Sequence, residues 1–517
     1  MLHFTIAFSK SQYALTRLHL DIRGNHDTFD VTSHKDPHNY FLSHSMAGPS
    51  HTSSYIKTIH NAGKNFSFVA LDATLNPGPK KVFNFFGYLS DSQLEAISDL
   101  KATADKSDHQ IYFGHFPSSC IVSSTPVMQM MKGSLVYLSG HLHTLGGLAP
   151  QLYTLHHTGT PELELGDWKE NRRYRILAVD NGLLSFTDQD HGSWPAVVIT
   201  NPKRADFIAP LVERVENILA SKVIRVMAFS PNDITQVRVK INKEDWVDCD
   251  ETSENVFTVP WDPSDYVGTE NVINVEVIDG FGDSKEISQN FVVDTNSIQQ
   301  LKYSLYARLI LMSEPHSVLR FCWFFSFILC ISPLLLARYC PSKLEELTGQ
   351  SCAQQLRMFA GHNFLFNLYT STCLYVTFGP WHVGEILSGH LGFIFPWATI
   401  VRGSVLPSFY PYVFSFVHLT LFHFPLLWSL VFKLQWRVTE VQKNTMSLAL
   451  TNIPITLVMS MQAIMLVVLY FYPSKLGIFR EIALLLAPVE IATICVGFVL
   501  NAVVSYSIRE DRKKLKN

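Results

Sequence analysis

Three short clusters of glycine and histidine lie within the first 150 residues of the chain. They read Gly24-Asn25-His26-Asp27, Gly114-His115 and Gly140-His141-Leu142-His143. Imidazole nitrogens, amide oxygens and carboxylates are ligands for divalent metals such as Zn, Mn, Fe and Ni. Two histidines placed two positions apart in an extended turn can point at different ions. A pair of ions about 3.5–4 Å apart can hold both the attacking and the leaving oxygen of a phosphoryl transfer.

Each cluster follows an apolar run that has the length and composition of a β-strand. Four such runs occupy residues 18–22, 66–71, 111–113 and 135–138. The second run ends at Asp72, and a capping box at Ser90 and Gln93 predicts a helix before the third. Because ligand groups at the carboxyl ends of neighbouring strands meet at one rim of a sheet, we expect the clusters to converge there.

These blocks resemble the calcineurin-like metallophosphoesterases. The arrangement is similar to the membrane-anchored branch that includes the transmembrane protein 62 family and plant metallophosphoesterases, which couple such a domain to a β-sandwich and a multispan tail. The resemblance covers nearly the whole chain, including the segments 72–79 and 166–175. It implies hydrolysis of a phosphate ester by water activated at two divalent metal ions of the Zn, Mn, Fe or Ni class.

The resemblance also implies a role for each residue of the clusters. Four residues are implied as metal ligands: Asn25, His115 and His141 for one ion and His143 for the other. His26 would lie beside the substrate phosphate, where it would stabilise charge or protonate the leaving oxygen. Asp27 would accept a hydrogen bond from the His26 ring and orient it. The catalytic pair is thus His26 and Asp27.

Two blocks of the family pattern, Asp-x-His and Gly-Asp-x-x-Asp, do not occur before Gly24. The second block supplies the carboxylate that bridges the ions, so this chain as printed would hold one ion at most. We expect an N-terminally truncated form that lacks the first strands and leaves an unpaired sheet edge. Two readings stay open: a metal-dependent phosphoesterase, and a non-catalytic membrane binding or scaffold protein with a degenerate phosphoesterase domain.

The composition excludes a single soluble globule. Charged residues make up 16% of the chain, the mean hydropathy is +0.13 and there are 36 phenylalanines, whereas soluble domains contain about 25% charged residues. The net charge of −3 offers no basic surface for nucleic acid. The expected partners are therefore the lipid bilayer and a phosphate ester that the sequence does not identify.

The predicted fold class has three parts: an α/β metallophosphoesterase-like sandwich that is incomplete at its N-terminus, an all-β immunoglobulin-like sandwich, and an α-helical multispan membrane domain. The predicted boundaries are 1–193, 194–296, a linker at 297–317, a membrane domain at 318–506 and a basic cytosolic tail at 507–517. Short alternating strands separated by Gly/Pro turns indicate the middle sandwich, which either spaces the first domain from the membrane or recognises a partner.

Five apolar stretches have the length of a membrane span, which needs about 20 residues. They are 318–337, 364–380, 409–432, 452–472 and 482–506. The stretch 386–401 is interrupted by charge, and we interpret it as a re-entrant or interfacial segment. The last span carries one charge, Glu490, for which Asn367 and His418 are expected partners. A functional ionisable group and a packed interhelical hydrogen bond are both open there.

Lysine and arginine are distributed unevenly among the segments that connect the five predicted spans. Eleven lie on the side of the C-terminal tail and six on the opposite side. Because basic residues concentrate in cytosolic loops, we expect the tail in the cytosol and the N-terminal half in the lumen or outside the cell.

Overall fold

The computed structural model describes residues 2–8, 16–169, 172–294, 303–439, 451–471 and 478–516. It separates into two compact units. The first unit comprises Met1–Asp27, Pro37–Thr74 and Gly87–Ser313, and the second comprises Thr28–Asp36, Leu75–Phe86 and Glu314–Asn517. Some predicted segments fall partly outside the described residues, namely the join between sandwich and linker at 295–302, residue 472 of the fourth predicted span and residue 517 of the tail.

The first unit begins with an α/β domain. Its strands are β1 Leu2–Phe8, β2 Thr16–Ile22, β3 Tyr55–Asn61, β4 Lys64–Leu71, β5 Gly87–Leu89, β6 His109–Gly114, β7 Ile121–Ser123, β8 Val136–Ser139, β9 Tyr153–Leu155 and β10 Pro161–Glu164. A mixed six-stranded sheet has the order β3-β4-β6-β8-β10-β9, in which β4, β6, β8 and β10 run parallel. A further two-stranded sheet pairs β5 with β7. Buried apolar side chains cover the sheet, as expected for parallel strands packed on both faces.

The helix between β5 and β6 begins where the sequence predicts. The Ser90 side chain caps Asp91–Ala104 by accepting from the Gln93 amide, and the Gln93 side-chain oxygen accepts a hydrogen bond of 3.0 Å from the Ser90 amide, which completes the capping box. Leu94 and Ile97 bury one face of this helix. The other helices of the first unit are short: Phe41–His44, Val127–Met130, Glu216–Ala220 and Leu305–Met312.

Strand β2, which leads into Asn25, is not the unpaired edge that we expected. It forms a two-stranded antiparallel sheet with β1 along its whole length, from Leu2 opposite Ile22 to Phe8 opposite Thr16. Its apolar side chains Leu20 and Ile22 pack in the same core cluster as residues of β6 and β8. The strand at Leu2–Phe8 was not predicted from the sequence.

The middle domain is a β-sandwich preceded by a hairpin. The hairpin consists of β11 Arg173–Asp180 and β12 Leu183–Asp190; the sandwich strands are β13 Ala196–Asn201, β14 Val223–Phe229, β15 Ile234–Ile241, β16 Val247–Asp248, β17 Asp250–Ser253, β18 Val256–Pro260, β19 Asn271–Asp279 and β20 Ser284–Phe291. Two four-stranded sheets have the orders β13-β14-β18-β17 and β16-β15-β19-β20. Alternate residues such as Val237, Val239 and Ile273 fill the core between them.

The second unit is mainly helical. Its helices are Pro315–Tyr339, Pro341–Thr348, Gln350–Gly361, Asn363–Phe378, Tyr410–Val417, the π-helix His418–His423, Phe424–Thr439, Ile453–Phe471 and Ile478–Lys516. Within the part of the chain that the structure describes, four helical stretches are long and apolar enough to cross a membrane: Pro315–Tyr339, Tyr410–Leu434, Ile453–Phe471 and Arg480–Glu510. The predicted order of α/β domain, immunoglobulin-like sandwich and helical membrane domain is thus confirmed.

The number and limits of the helices differ from the prediction in three places. The helix predicted at 364–380 is Asn363–Phe378, and its 16 residues are too few to count among the four; the fifth span therefore stays a prediction. The predicted linker contains the helix Leu305–Met312, whose Ala307 and Leu311 are buried. The predicted tail at 507–517 continues the last helix as far as Lys516.

Residues 382–407 of the second unit form a sheet, and the re-entrant or interfacial placement of residues 386–401 stays a prediction. The strands β21 His382–Leu387, β22 His390–Ile394, β23 Ala398–Val401 and β24 Ser404–Pro407 pair antiparallel in chain order. Tight turns join them, with positive φ at Gly389 and at Arg402 and Gly403. Two consecutive residues of positive φ match the turn type that best fits a two-residue hairpin loop.

Candidate metal centre

The loops that follow β2, β6 and β8 carry the residues implied as metal ligands. Asn25 opens a short 3-10 turn directly after Arg23 and Gly24, which follow β2. His115 follows the last residue of β6, and His141 lies two residues after the end of β8. Because β6 and β8 are parallel neighbours, their carboxyl ends place these two histidines side by side.

Three donor atoms from these loops meet in the structure. The His115 Nε2 atom lies 3.0 Å from the Asn25 Oδ1 atom and 3.0 Å from the His141 Nδ1 atom. Divalent ions bind nitrogen and oxygen ligands at about 2.0–2.2 Å, which corresponds to donor separations of about 3–3.5 Å around one ion. An amide oxygen and two imidazole nitrogens at this spacing could all be ligands of one divalent ion.

Glycine at position 24 permits the close approach of the His115 ring. A Cβ atom built on Gly24 would lie 2.7 Å from the His115 Cγ and Nδ1 atoms, which is closer than real Cβ contacts. The His115 carbonyl in turn accepts a hydrogen bond of 3.0 Å from the Gly140 amide, so the loops after β6 and β8 are joined by their backbones. The glycines of the clusters therefore bring the backbones together, as expected near a ligand site.

The charge state of His115 suits a metal ligand. Burial lowers its pKa well below the ordinary value, and the neighbouring His141 ring adds to this effect. The imidazole is consequently neutral at physiological pH, which leaves a ring nitrogen able to donate its lone pair to a metal.

The remaining predicted residues lie at the open side of the cluster. His26 and His143 are exposed, whereas Asp27 is half-buried and its Oδ2 atom accepts a hydrogen bond of 2.8 Å from the Gly24 amide. The His143 Nδ1 atom lies 3.9 Å from the Oδ2 atom of Asp167. The structure thus brings Asn25, His115 and His141 into contact and leaves His143 apart with a carboxylate; the roles assigned to all six residues stay predictions.

Within the described residues, no group of three or more His, Cys, Asp or Glu side chains is arranged to hold a metal ion. The set of donors at His115 instead consists of two histidines and the Asn25 amide.

Comparison with known proteins finds a matching domain family and two similar proteins. Residues 191–297 match the TMEM62 Ig-like domain. Over 420 residues, or 80% of this chain, the sequence is 36% identical to mouse Transmembrane protein 62. The chain is related to transmembrane protein 62. It is also 28% identical over 278 residues, or 43% of its length, to an Arabidopsis thaliana protein named Putative metallophosphoesterase. The predicted resemblance is confirmed.

The matched regions span 65% of the Transmembrane protein 62 of mouse and 37% of the Arabidopsis protein. No solved structure matches the chain. The relationship to transmembrane protein 62, together with the apolar helices, shows a membrane protein.

Glu164 at the end of β10 is a site residue that the sequence reasoning missed. Its buried carboxylate accepts hydrogen bonds from the Leu142 amide, from the His143 amide at 2.9 Å and from the Ser139 hydroxyl at 2.5 Å. These bonds fix the backbone between the two histidines of the third cluster. Burial raises the pKa of Glu164 to about 7, although the three donors oppose that shift.

A buried ion pair fixes the first cluster in a similar way. The Arg23 Nε atom donates to the Asp72 Oδ2 atom at 2.5 Å, and Asp72 also accepts from the Thr74 hydroxyl at 2.6 Å. Asp72 therefore lies at the carboxyl end of β4 as expected, and it holds the residue just before Gly24. The signal that could have found Glu164 is an acidic residue at alternate positions of an otherwise apolar strand, since Glu162 and Glu164 are both buried.

Proposed function

We propose that this chain is a membrane-anchored, metal-dependent phosphoesterase that hydrolyses a phosphate ester at the cluster around His115. The observation that carries the proposal is the convergence of three donor atoms. The His115 Nε2 atom lies 3.0 Å from the Asn25 Oδ1 atom and 3.0 Å from the His141 Nδ1 atom. The name of the Arabidopsis relative supports the same reaction class.

The residues present fit one divalent ion well and a second ion in part. Asn25, His115 and His141 would hold one ion, and His143, with Asp167 at 3.9 Å, would contribute to the other. Ions of the Zn, Mn, Fe or Ni class would supply Lewis-acid polarisation of the phosphate and an activated water. Chelation of the ions should therefore remove the activity.

The chain's own side chains have separate tasks in this proposal. His26, exposed beside the ligand Asn25, would donate a hydrogen bond or a proton to the phosphate oxygen that leaves. Asp27 caps the turn through the Gly24 amide and would keep the His26 ring oriented. Glu164 and the Arg23–Asp72 pair would hold the loops in register, so that the ligands need little reorganisation.

The second candidate is a non-catalytic membrane protein that uses the degenerate phosphoesterase domain and the sandwich for binding. The spacing at His143 favours it, because the 3.9 Å between its Nδ1 atom and the Asp167 Oδ2 atom exceeds the 3–3.5 Å expected of two ligands on one ion. Under either function we propose a multi-pass topology with the N-terminal half in the lumen or outside the cell and the C-terminus in the cytosol, on the basis of the lysine and arginine distribution.

The test uses the full chain purified in detergent, with metal content and turnover of an aryl phosphate measured together. We expect at least one ion per chain, turnover that a chelator abolishes, and a loss of about 100-fold or more in His26→Ala with the metal retained. His60→Ala is the matched control, since His60 is exposed and lies opposite Asn65 at the start of β4, away from the carboxyl ends of the strands.

A chain that holds less than one ion and shows no rate above buffer would support the binding protein and reject the enzyme. Undiminished turnover in His26→Ala would reject the role given to His26 alone. Topology is tested separately: protease should cut an N-terminal tag only after lumen-inside vesicles are opened.

A further inference from the structure

The helix Leu305–Met312 lies in the chain directly before the candidate membrane span Pro315–Tyr339, and two residues separate them. At 1.5 Å per residue, the 25 residues of the span extend about 37 Å, whereas the hydrocarbon core of a bilayer is about 30 Å thick. The first residues of the span therefore lie at the level of the lipid headgroups. Three residue steps of about 3.8 Å connect the helix to the span, so the end of the helix lies within about 11 Å of that level.

The α/β domain covers one face of this helix. Ala307 and Leu311 are buried and form one cluster with Ala149 and Leu152. Ile310 is half-buried and packs against the same cluster. The cluster joins the helix to the segment just before β9. The helix is therefore a fixed part of the first unit, and the face that it turns away from the domain is defined.

The opposite face of the helix is apolar and exposed. The exposed fractions are 69% for Leu305, 73% for Tyr306 and 60% for Leu309. With 3.6 residues per turn, these three side chains share an arc of about 100°. A helix on the surface of a soluble domain carries polar residues on its outer face, whereas a helix that is apolar on all sides is buried on all sides. The exposed face therefore needs a cover, which the residues that the structure describes do not supply.

The position and the charge of the helix indicate that lipid is this cover. Arg308 is its one charged residue. Helical periodicity places Arg308 at one edge of the exposed arc and Tyr306 at the other. Tyrosine prefers the headgroup level, and arginine there can reach lipid phosphates while its stem lies along apolar groups. Helices of this kind lie in the plane of the interface, with the apolar face about 5–10 Å deep.

A helix also meets the requirement that lipid places on the backbone. Its N–H and C=O groups are paired within the segment, as where the Arg308 amide donates to the Ser304 carbonyl at 3.0 Å. The groups at its two ends, which have no partner inside a helix, can reach the headgroups and water because the helix lies along the surface and does not cross the bilayer.

We propose that Leu305–Met312 is an interfacial helix, and that lipids of one leaflet cover Leu305, Tyr306 and Leu309. The helix then holds the α/β domain against the bilayer surface, in addition to the covalent link to the span. Leu142, between the two histidines of the third cluster, packs against the same residues as the buried face of the helix. The loop of the candidate metal centre is therefore packed, through this cluster, onto the helix that we assign to the membrane surface.

The experiment uses the full chain in lipid nanodiscs that contain a phospholipid with a clickable acyl chain. A photoreactive benzophenone amino acid replaces Leu305 in one sample and Leu309 in a second, each in an otherwise unchanged chain. The matched control carries it at Phe281, an 82% exposed side chain in the turn between β19 and β20. The eight residues of β20 lie between this turn and the segment that leads to the helix. We expect lipid adducts at Leu305 and Leu309 at least fivefold above those at Phe281.

Equal lipid labelling at all three positions would overturn the proposal. Adducts that join two copies of the chain, or two parts of one chain, in excess of lipid adducts would also overturn it, because protein would then cover the face. The replaced side chains are exposed, so the packing of Ala307 and Leu311 stays unchanged. A Tm equal to that of the wild type, measured for each variant before irradiation, shows that the adducts report the folded chain.

Discussion

Two histidine-containing clusters of polar side chains, one in each unit, differ in what surrounds them. Around His115 the donor atoms of Asn25 and His141 converge on one point, and the exposed His26 and His143 flank it. Around His418 the polar side chains are enclosed by the protein. His418 lies 2.6 Å from the Glu490 carboxylate and both side chains are fully buried.

The difference is one of partner chemistry. At His115 the groups that meet are an amide oxygen and two imidazoles, which are all possible metal ligands. At His418 an acid and a base lie next to each other, although their buried polar atoms make no hydrogen bond of standard geometry, and the Trp381 ring lies 5.6 Å from the imidazole. Of the two partners that the sequence suggested for Glu490, the structure pairs it with His418. Convergent donors with an open side indicate a ligand site, whereas a closed pair indicates a contact between helices.

The largest expected effect is on the stability of the membrane domain. His418→Ala should lower the free energy of unfolding by about 3–5 kcal/mol, because it leaves the Glu490 carboxylate buried without its partner. Unfolding of the full chain in detergent, followed by heat or denaturant, measures it.

The control for that experiment is the double replacement of His418 and Glu490 by leucine. It removes both polar groups and should restore most of the loss, since an apolar pair of similar volume is often as stable as a buried ion pair. If His418→Ala and the wild type unfold at the same point, the pair does not hold the helices together.

The next effect is on metal binding, and it should appear without a comparable loss of stability. His115→Ala removes the central donor of the cluster and should weaken binding of Zn or Mn by more than about 100-fold, beyond the 10–100-fold typical of outer contacts. Calorimetric titration of the full chain measures this. His109→Ala, at the other end of β6, should leave the affinity unchanged.

Equal losses of metal affinity in His115→Ala and His109→Ala would mean that folding, not coordination, is affected. In that case the cluster at His115 would be a structural contact, as we interpret the cluster at His418, and not a metal site.

Glu164→Gln should weaken metal binding by about 10–100-fold, the range found for groups that orient ligands. The amide keeps the shape but exchanges one acceptor for a donor, so the Leu142 and His143 amides and the Ser139 hydroxyl lose part of their partner. Glu162→Gln is a close control on the same strand face, because Glu162 instead accepts from Ser118 and contacts His156. Similar losses in both variants would contradict a specific positioning role.

Local signals in the sequence were enough to predict the strands and loops that carry the candidate metal ligands. The runs before His115 and His141 are continuous, apolar and followed by glycine, as buried parallel strands are. Glu164 was missed because its partners lie 21 and 22 residues away, in a loop whose backbone path the sequence does not specify. The strand β1 was missed because residues 2–8 form only a short apolar run.

The sheet β21–β24 was missed for a different reason. A strand is recognised when apolar and polar residues alternate, but here Val383, Phe393 and Val405 are apolar on the exposed face, and Ile394 and Leu406 are apolar on the buried one. With both faces apolar, the pattern could not be told from a short membrane segment.

The smallest expected effect concerns the open side of the metal centre. Asp167→Asn should change binding of a second ion by less than about fivefold, because the His143 side chain is 44% exposed, its Nδ1 atom lies 3.9 Å from the Asp167 carboxylate, and a charge pair open to solvent contributes at most about 1 kcal/mol. Titration past the first equivalent of metal measures this, with the exposed helix residue Asp99→Asn as control. A loss as large as that of Glu164→Gln would make Asp167 a metal ligand. Two donors, His143 and Asp167, would then serve the second ion, and the 3.9 Å spacing between them would no longer favour the non-catalytic protein.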